Sequence, residues 1–195
     1  MDAICTATAQ VLLAEGYEGV TTNRVAERAG VSIGTLYQYF GNKEALIGSL
    51  VDREFDRFFA RLAVYFDVPS DTSAEATVTA YVRATLKIHI EQAPLYQALA
   101  TQLRTSGWHA LETLWLARCM ELVELSLTAR PDLIGGRDPT PVAFAVTQAV
   151  HSVVLHAALD RPTLLASAEL ADSLVGLILG CFQGSGPKTP IKTTG

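Results

Sequence analysis

Cysteine and formal charge are both scarce in this sequence of 195 residues. Cys5, Cys119 and Cys181 lie far apart and form no C-x-x-C pair, and their odd number argues against a disulfide framework or a cysteine zinc site. Charged residues make up 18% of the chain and apolar residues 49%, which excludes a disordered chain. The 15 Lys and Arg residues are outnumbered by 20 Asp and Glu residues, so the surface is not uniformly basic.

A signal peptide and a membrane-spanning segment are also missing from the pattern. The first dozen residues contain Asp2 but no Lys or Arg, so the basic start of a signal peptide is lacking. The longest uncharged stretch, 139–159, opens with two prolines and carries Gln148, Ser152 and two histidines, which makes it a poor spanning helix. We expect a cytoplasmic protein that is soluble and binds no membrane.

Helical periodicity dominates what is present, and the pattern predicts an all-α fold. The first helix is expected to end at Gly16, and Asn42 is expected to cap a long helix that continues to Pro69. Pro94 is placed at a helix start, where its missing N–H costs least. The other predicted helices span 22–29, 32–40, 72–92, 94–105, 108–129, 141–159 and 164–182.

These helices divide into an N-terminal three-helix unit over 1–46 and a larger helical domain over 47–183. Residues 184–195 are rich in Gly, Pro, Thr and Lys, and they are expected to form a disordered tail.

The most informative stretch, 21–46, reads TTNRVAERAGVSIGTLYQYFGNKEAL. Thr22 and Ser32 can cap two short helices, and Gly30 supplies the turn between them. Arg24 and Arg28 share one face of the first short helix at i, i+4. This spacing predicts a helix-turn-helix followed by a third helix.

The second short helix is expected to turn Ile33, Leu36 and Phe40 inward. The residues left largely outside are Gly34, Thr35, Tyr37, Gln38 and Tyr39. One interpretation is that the tyrosines are half-buried and their hydroxyls simply reach water. The other is that this helix enters a DNA major groove with its N-terminal residues at the base edges.

Each exposed side chain has a chemistry that suits the second interpretation. Gln38 can bond to adenine at N6 and N7, and the methyl group of Thr35 can touch a thymine methyl. Gly34 would let the backbone approach a phosphate, and the hydroxyls of Tyr37 and Tyr39 can donate to phosphates. Lys43 adds its charge to a helix N-terminus, which already favours an anion.

The segment EGYEGVTTNRVAERAGVSIGTLYQYFGNKEAL resembles the N-terminal signature of TetR-family transcriptional regulators, over roughly Ile4 to Leu50. The combination of glycines, the Y-x-Y-F ending of the second short helix and the following lysine makes the match specific. The resemblance implies a DNA-binding domain over 1–46, and phosphate contacts from Thr22, Ser32, Tyr37, Tyr39 and Lys43. It places the base-reading positions at Ile33, Gly34, Thr35 and Gln38.

The charge of this unit is unusual for a DNA-binding protein. Residues 1–50 hold three cations against five acids, a balance of −2; the cations are Arg24, Arg28 and Lys43, and the acids Asp2, Glu15, Glu18, Glu27 and Glu44. Since sequence-independent affinity comes mainly from neutralised phosphates, we expect weak non-specific binding and a shallow dependence on salt.

The resemblance further implies that 47–183 holds a small-molecule pocket and forms a homodimer through helices 141–159 and 164–182. Apolar residues nearly encircle the first of these helices, as expected where two helices pair with two from a partner. In the second, Gly176 and Gly180 would permit close approach beside an apolar stripe formed by Leu170, Leu174, Leu177, Ile178 and Cys181. An intramolecular core is the alternative. A two-fold dimer predicts a pseudopalindromic operator.

Candidate pocket residues are the larger aromatic and polar side chains of the central helices, namely Tyr81, His89, Tyr96, Trp108, Trp115, Met120, Phe144 and Gln148. The alternative is that they are ordinary core, and His89, between Lys87 and Glu91, can equally sit on a solvated face. Arg104 and Arg118 can bind an acidic effector or pair with nearby glutamates. His151 and His156 are poorly spaced for a shared metal, so no metal site is predicted.

No catalytic motif or cofactor-binding motif is present, so neither catalytic residues nor a cofactor are expected. The sequence predicts a ligand-responsive repressor that binds double-stranded operator DNA as a dimer and is released by a small-molecule effector. The alternative is a helical small-molecule-binding or interaction protein whose helix-turn-helix has lost DNA binding.

Overall fold

The computed structural model describes residues 1–66, 71–99 and 106–184, with the helical backbone alone for 106–111. The described residues form α-helices joined by turns and short 3₁₀ segments, with no strand among them, which confirms the all-α prediction. The helices are α1 (Asp2–Gly19), α2 (Thr22–Ala29), α3 (Ile33–Tyr39), α4 (Lys43–Ala63), α5 (Ala74–Leu99), α6 (Ser106–Ala129), α7 (Pro139–Asp160) and α8 (Ala168–Gln183).

A first hydrophobic core holds α1, α2, α3 and the beginning of α4 together. Its most deeply buried side chains include Leu12, Val25, Leu36, Leu46 and Leu50. The core continues beyond the first three helices, because Val51 of α4 and Leu99 of α5 are also buried in it. The N-terminal unit is therefore packed directly on the last turns of α5.

The rest of the molecule packs around α5. An aromatic cluster between α4, α5 and α6 contains Phe58, Phe59 and Trp115. On the other side of α5, a larger apolar core joins α6, α7 and α8, with Val82, Val146, Val154, Leu174 and Ile178 among its buried members. Both α4 and α5 thus run from the first core into the second half of the protein.

Two predicted boundaries are wrong, at the end of α4 and at the start of α8. The backbone leaves helical geometry at Gly16 (φ +71°), as predicted, and a short helical segment follows the kink and ends at Gly19. The long helix α4 ends at Ala63 and not at Pro69, and Phe66 lies in the turn that follows. The last helix begins at Ala168, where Ser167 caps it, because Pro162–Ala166 forms a separate 3₁₀ turn.

The largest correction concerns α5, which the sequence divides at Pro94. Ala74–Leu99 is one continuous helix with Pro94 inside it. Residues 100–105, predicted as the end of a second helix, lie outside the described residues, as does the predicted disordered tail after Gly184.

Helix α7 has the length and hydropathy of a membrane-spanning helix, and it is the only such helix in the part of the chain that the structure describes. Within its most apolar stretch 44% of residues are buried inside the protein.

Candidate nucleic-acid interface and ligand cavity

Two capped helices and a glycine turn build the helix-turn-helix. The hydroxyl of Thr21, not that of the predicted Thr22, accepts from the Arg24 N–H at 3.3 Å. Thr21 has the extended backbone that an N-cap requires, whereas Thr22 is already the first helical residue. Gly30 ends α2 in the left-handed region (φ +68°), and the Ser32 hydroxyl caps α3 by accepting from the Thr35 N–H at 3.0 Å. The turn and the second cap agree with the sequence prediction.

Helix α3 is held by two inward residues, Leu36 and Phe40, which are 0% and 4% exposed. The prediction that Ile33 also points inward is wrong, because it lies in the first turn of α3 with 39% of its surface exposed. The predicted outer residues all lie outside: Gly34, Thr35, Tyr37, Gln38 and Tyr39. The solvent-facing side of α3 therefore carries an amide, two phenols and a threonine hydroxyl, together with the Ile33 side chain.

Neighbouring hydroxyls on this face are paired with each other. The Thr22 and Tyr37 hydroxyls lie 3.1 Å apart, and those of Ser32 and Thr35 lie 2.8 Å apart. The structure thus brings four of the expected DNA-contacting residues into two hydroxyl pairs. Such pairs can each present a donor to one phosphate oxygen.

Lys43, which is expected to contact a DNA phosphate, forms hydrogen bonds with residues of α1 in the free protein. Its Nζ donates to the Tyr17 carbonyl and to Glu18 Oε2, both at 3.2 Å, and lies 3.9 Å from the centre of the Tyr17 ring. Asn42 caps α4 as predicted, because its Oδ1 accepts from the Ala45 N–H at 2.8 Å. The cation is therefore at the N-terminus of α4, but it is already engaged.

The two arginines of α2 are also engaged by α1. Arg24 forms an ion pair with Glu15, and Arg28 Nε donates to Gln10 Oε1 at 2.8 Å. The sparse positive charge of this unit therefore has protein partners. The expected shallow salt dependence stays a prediction, and these partners are consistent with it.

A cavity of about 270 Å³ lies between the C-terminal side of α4 and helices α5 to α8. Its wall is mainly apolar, with polar atoms from a few tyrosine, threonine and serine side chains and from Arg130. The lining residues are Tyr65, Phe66, Thr77, Val78, Tyr81, Val123, Ser126, Leu127, Ala129, Arg130, Leu133, Val146, Ile178 and Phe182. A cavity of this kind is suited to a small, largely apolar molecule.

The predicted pocket residues are divided by the structure. Only Tyr81 lines the large cavity, while Tyr81, His89 and Trp115 line a second, much smaller one. Tyr96 lies beside the His89 ring and donates to Gln92, and Met120 packs against the larger core.

The remaining candidates are elsewhere. Phe144 is 55% exposed and Gln148 is also exposed, and both lie on the outer side of α7 away from the cavity. The side chain of Trp108 falls outside the described residues. The interpretation that His89 sits on a solvated face is wrong, because it is 4% exposed.

Sequence reasoning missed most of the cavity wall. Phe66, Val78, Val123 and Leu127 recur at helical spacing like any core residue, so nothing in the sequence separates them from filled core. Arg130, the only cation among the described lining residues, stands directly after α6 and before Pro131, outside any predicted helix. Its guanidinium donates to Asp132 through Nε and Nη2, both at 3.0 Å.

Burial sets the protonation of the histidines near the small cavity. It lowers the pKa of His89 to about 4, although the Thr85 carbonyl opposes this by accepting from Nδ1 at 2.8 Å. Burial also lowers the pKa of His151, and the bond from its Nε2 to Glu112 works in the opposite direction. Both imidazoles are therefore neutral at neutral pH. Among the described residues no cluster of His, Cys, Asp or Glu could hold a metal ion.

An unpartnered face runs along α7 and α8. It exposes Phe144 and Leu177, at 55% and 38%, beside Ala145, Gly176 and Gly180. The predicted stripe of α8 is split, because Leu174 and Ile178 are buried in the core of the same chain while Leu177 points outward. Small residues on this face leave room for close approach of another helix.

Comparison with known proteins agrees with these features. Residues 4–50 match the family model described as bacterial regulatory proteins, tetR family. The HTH-type transcriptional repressor KstR of Mycobacterium tuberculosis (strain ATCC 25618 / H37Rv) is 28% identical over 182 residues, which cover 91% of this chain and 79% of that protein.

Solved structures show the same fold. The fatty acid degradation regulator FadR from Bacillus halodurans superimposes with a TM-score of 0.67 at 22% identity, covering 92% of this chain and 94% of that one. A SmeT–triclosan complex gives a TM-score of 0.66 at 20% identity, covering 92% and 89% of the two chains.

Proposed function

The chain belongs to the TetR family of transcriptional regulators, and from this premise we propose that it is a cytoplasmic repressor, not an enzyme, which leaves its operator when an apolar effector fills the 270 Å³ cavity. The observation that carries the proposal is that α5, and α4 together with the turn that follows it, each connect the helix-turn-helix core with the cavity wall.

Recognition of DNA is assigned to the outer side of α3. Gln38, Thr35, Ile33 and Gly34 face away from the core and are placed to meet base edges, while the hydroxyls near them meet phosphates. The expected contacts comprise Thr22, Ser32, Tyr37, Tyr39 and Lys43 for the phosphates. For Lys43 this requires exchange of its bonds to α1 for a phosphate oxygen.

Dimerisation is assigned to the exposed face of α7 and α8. Phe144 and Leu177 would be covered there, and Gly176 and Gly180 would let two copies of α8 approach closely. A two-fold dimer presents two copies of α3, so its operator is an inverted repeat with half-sites about 34–36 Å apart, or a multiple of this.

The effector is expected to be largely apolar, because the cavity wall is made mainly of aliphatic and aromatic side chains. One structural neighbour points in the same direction, since the protein from Bacillus halodurans is named for fatty acid degradation.

Release of DNA is proposed to be a shift between two dimer conformations. Tyr65 and Phe66 lie just beyond the C-terminal end of α4 and line the cavity. The N-terminal end of α4 follows directly after α3. On α5, Val78 and Tyr81 line the cavity and Leu99 is buried against the helix-turn-helix. An effector that favours one position of these helices would change the separation of the two α3 copies, and so the affinity for DNA.

The test is selection from random duplex DNA with the purified full chain, at about 0.1 M salt because affinity for DNA depends on it. The wild type is expected to recover an inverted repeat. The variant Gln38→Ala should recover a repeat with relaxed preference at one position per half-site, since a bidentate base contact is worth about 1–3 kcal/mol. Tyr39→Ala should bind every sequence more weakly.

Two results would contradict the DNA-binding assignment. One is failure of the wild type to enrich any sequence, even at low salt, which would favour a ligand-binding protein that has lost DNA binding. The other is an unchanged site for Gln38→Ala, which would remove that residue from base recognition.

A further inference from the structure

A second cavity lies next to the large one, with Tyr81 in the wall of both. It has a volume of about 20 Å³ and is enclosed by α4, α5, α6 and α7. Its lining residues are Phe58, Tyr81, Thr85, His89, Trp115, Cys119, Thr147, Val150, His151 and Val154. Unlike the large cavity, it gathers hydroxyl, indole and imidazole groups in one small space, which we call the polar compartment.

Four polar atoms of the polar compartment are buried without a hydrogen-bond partner among the described residues. They are Thr85 Oγ1, Trp115 Nε1, Thr147 Oγ1 and His151 Nδ1. Trp115 is 9% exposed and Thr147 is 6% exposed, so solvent does not satisfy them. Thr147 and His151 stand one turn apart on α7, and the His151 ring lies 4.7 Å from the Trp115 ring. Buried groups of this kind are seldom left unpaired, and a cluster of them indicates a missing partner.

The hydrogen-bonding capacity of these atoms defines that partner. His151 Nε2 donates to Glu112 Oε1 at 2.9 Å, which leaves Nδ1 of the neutral ring as an acceptor. Trp115 Nε1 can only donate, and the Thr147 hydroxyl can do either. The Thr85 hydroxyl, like that of Thr147, can do either. One group that both donates and accepts can donate to His151 Nδ1 and accept from Trp115 Nε1 and a threonine hydroxyl. A hydroxyl does this, and an ether oxygen does not, because it has no proton for His151.

A charged carboxylate fits the polar compartment poorly. No Lys or Arg is found among its described lining residues, and the Glu112 carboxylate already lies on the other side of the His151 ring. An anion would therefore be buried without a counter-charge. The volume also limits the guest, since about 10–15 Å³ of such space holds one water-sized group.

We propose that the polar compartment is the specificity site of the effector, and that it receives a neutral hydroxyl group carried by an otherwise apolar molecule whose body fills the large cavity. This rests on the proposed function for the existence of an effector. Tyr81, the wall between the two spaces, moves aside when the ligand occupies both. Phe58 of α4 and Thr85 and His89 of α5 surround the polar compartment, so its occupant touches both helices that reach the helix-turn-helix.

The experiment compares matched ligands by isothermal titration calorimetry on the full chain. The probes are octanol, decanol and dodecanol, each with its methyl ether and the carboxylic acid of the same length. At least one alcohol is expected to bind, and at least about tenfold more tightly than its ether and its acid, because a site built to bond a hydroxyl rejects analogues lacking it.

Two variants assign the preference to the polar compartment. Thr147→Val keeps the side-chain shape but removes the hydroxyl, and Trp115→Phe removes the indole N–H; each should reduce the preference for the alcohol. Thr77→Val is the matched control, because Thr77 lines only the large cavity, and it should keep the preference.

The proposal is overturned if alcohol and ether bind alike, which indicates that the polar compartment holds only a buried water. It is also overturned if no probe binds, or if Thr147→Val and Trp115→Phe both leave the preference intact. DNA binding is measured in parallel on the same preparations. Binding to the selected operator without any alcohol preference refutes this inference alone, whereas alcohol preference without DNA binding refutes the proposed function.

Discussion

At the scale of single residues, His89 shows how burial couples protonation to stability. Its ring is 4% exposed and lies 5.5 Å from the Phe58 ring in an edge-to-face contact. Burial lowers the pKa of His89 to about 4 in the folded chain, below its ordinary value of 6.5. Because the folded state resists protonation and the unfolded state does not, His89 favours folding fully only above about pH 6.5.

We expect the free energy of unfolding to fall as pH decreases from about 6.5 toward about 4. From the two pKa values, His89 should account for a loss on the order of 2 kcal/mol between pH 7 and pH 5. Urea unfolding of the wild type and of His89→Gln, at both pH values, measures this difference. His156→Gln is the control for the loss of a histidine at an exposed position of α7. An equal loss in wild type and His89→Gln would contradict the assignment.

Residue positions on a short helix were largely predictable, whereas the cavity was not. In α3 the periodicity placed Leu36 and Phe40 inside and Tyr37, Gln38 and Tyr39 outside, since one core covers one face. In α7 apolar residues surround the helix, so the sequence does not distinguish buried Val146 from exposed Phe144. Which side of such a helix faces a cavity depends on neighbours that are distant in sequence.

At the scale of elements, α5 shows why the helix boundary predicted at Pro94 is wrong. A proline inside a helix removes one backbone hydrogen bond and usually ends or kinks the helix. Here the turns after Pro94 are held by tertiary packing, because Leu95, Ala98 and Leu99 all lie against the first core. Local propensity predicts two helices separated at Pro94, whereas packing against the first core stabilises one continuous helix. Such contacts cannot be derived from residues adjacent in sequence.

The N-caps of α2, α3 and α4 were predictable to within one residue, and the difference at α2 can be tested. Thr21→Ala should lower the free energy of unfolding by about 1 kcal/mol, since it removes the side-chain acceptor for the Arg24 N–H. Thr22→Ala is the matched control, because its hydroxyl bonds only to exposed Tyr37 among the described residues, and it should change stability by less than about 0.5 kcal/mol. Urea unfolding of both variants decides between them. A larger effect for Thr22→Ala would return the cap to that residue.

At the scale of the whole molecule, α4 and α5 connect the helix-turn-helix with the region around the cavity. Each of them takes part in the first core and, through its own residues or the turn that follows, in the wall of the cavity. The N-terminal signature predicted the DNA-binding end, because its motif is local in sequence. The proposed effector site has no such motif, and the chemistry proposed for it rests on the buried unpartnered atoms of Trp115, Thr147 and His151.

We propose that a dimer built on α7 and α8 binds an inverted repeat through α3. Leu177→Glu places a charge on the exposed face of those helices and is expected to give folded monomers. Leu125→Glu is the control, because Leu125 is also exposed, at 60%, but lies on α6.

The most direct test is a fluorescence anisotropy titration of the selected inverted repeat and a shuffled duplex with these proteins. We predict that the wild type and Leu125→Glu bind the repeat at least about 10³-fold more tightly than the shuffled duplex, and that Leu177→Glu loses this preference. Equal affinity of the wild type for both duplexes, or full preference in Leu177→Glu, would contradict the account.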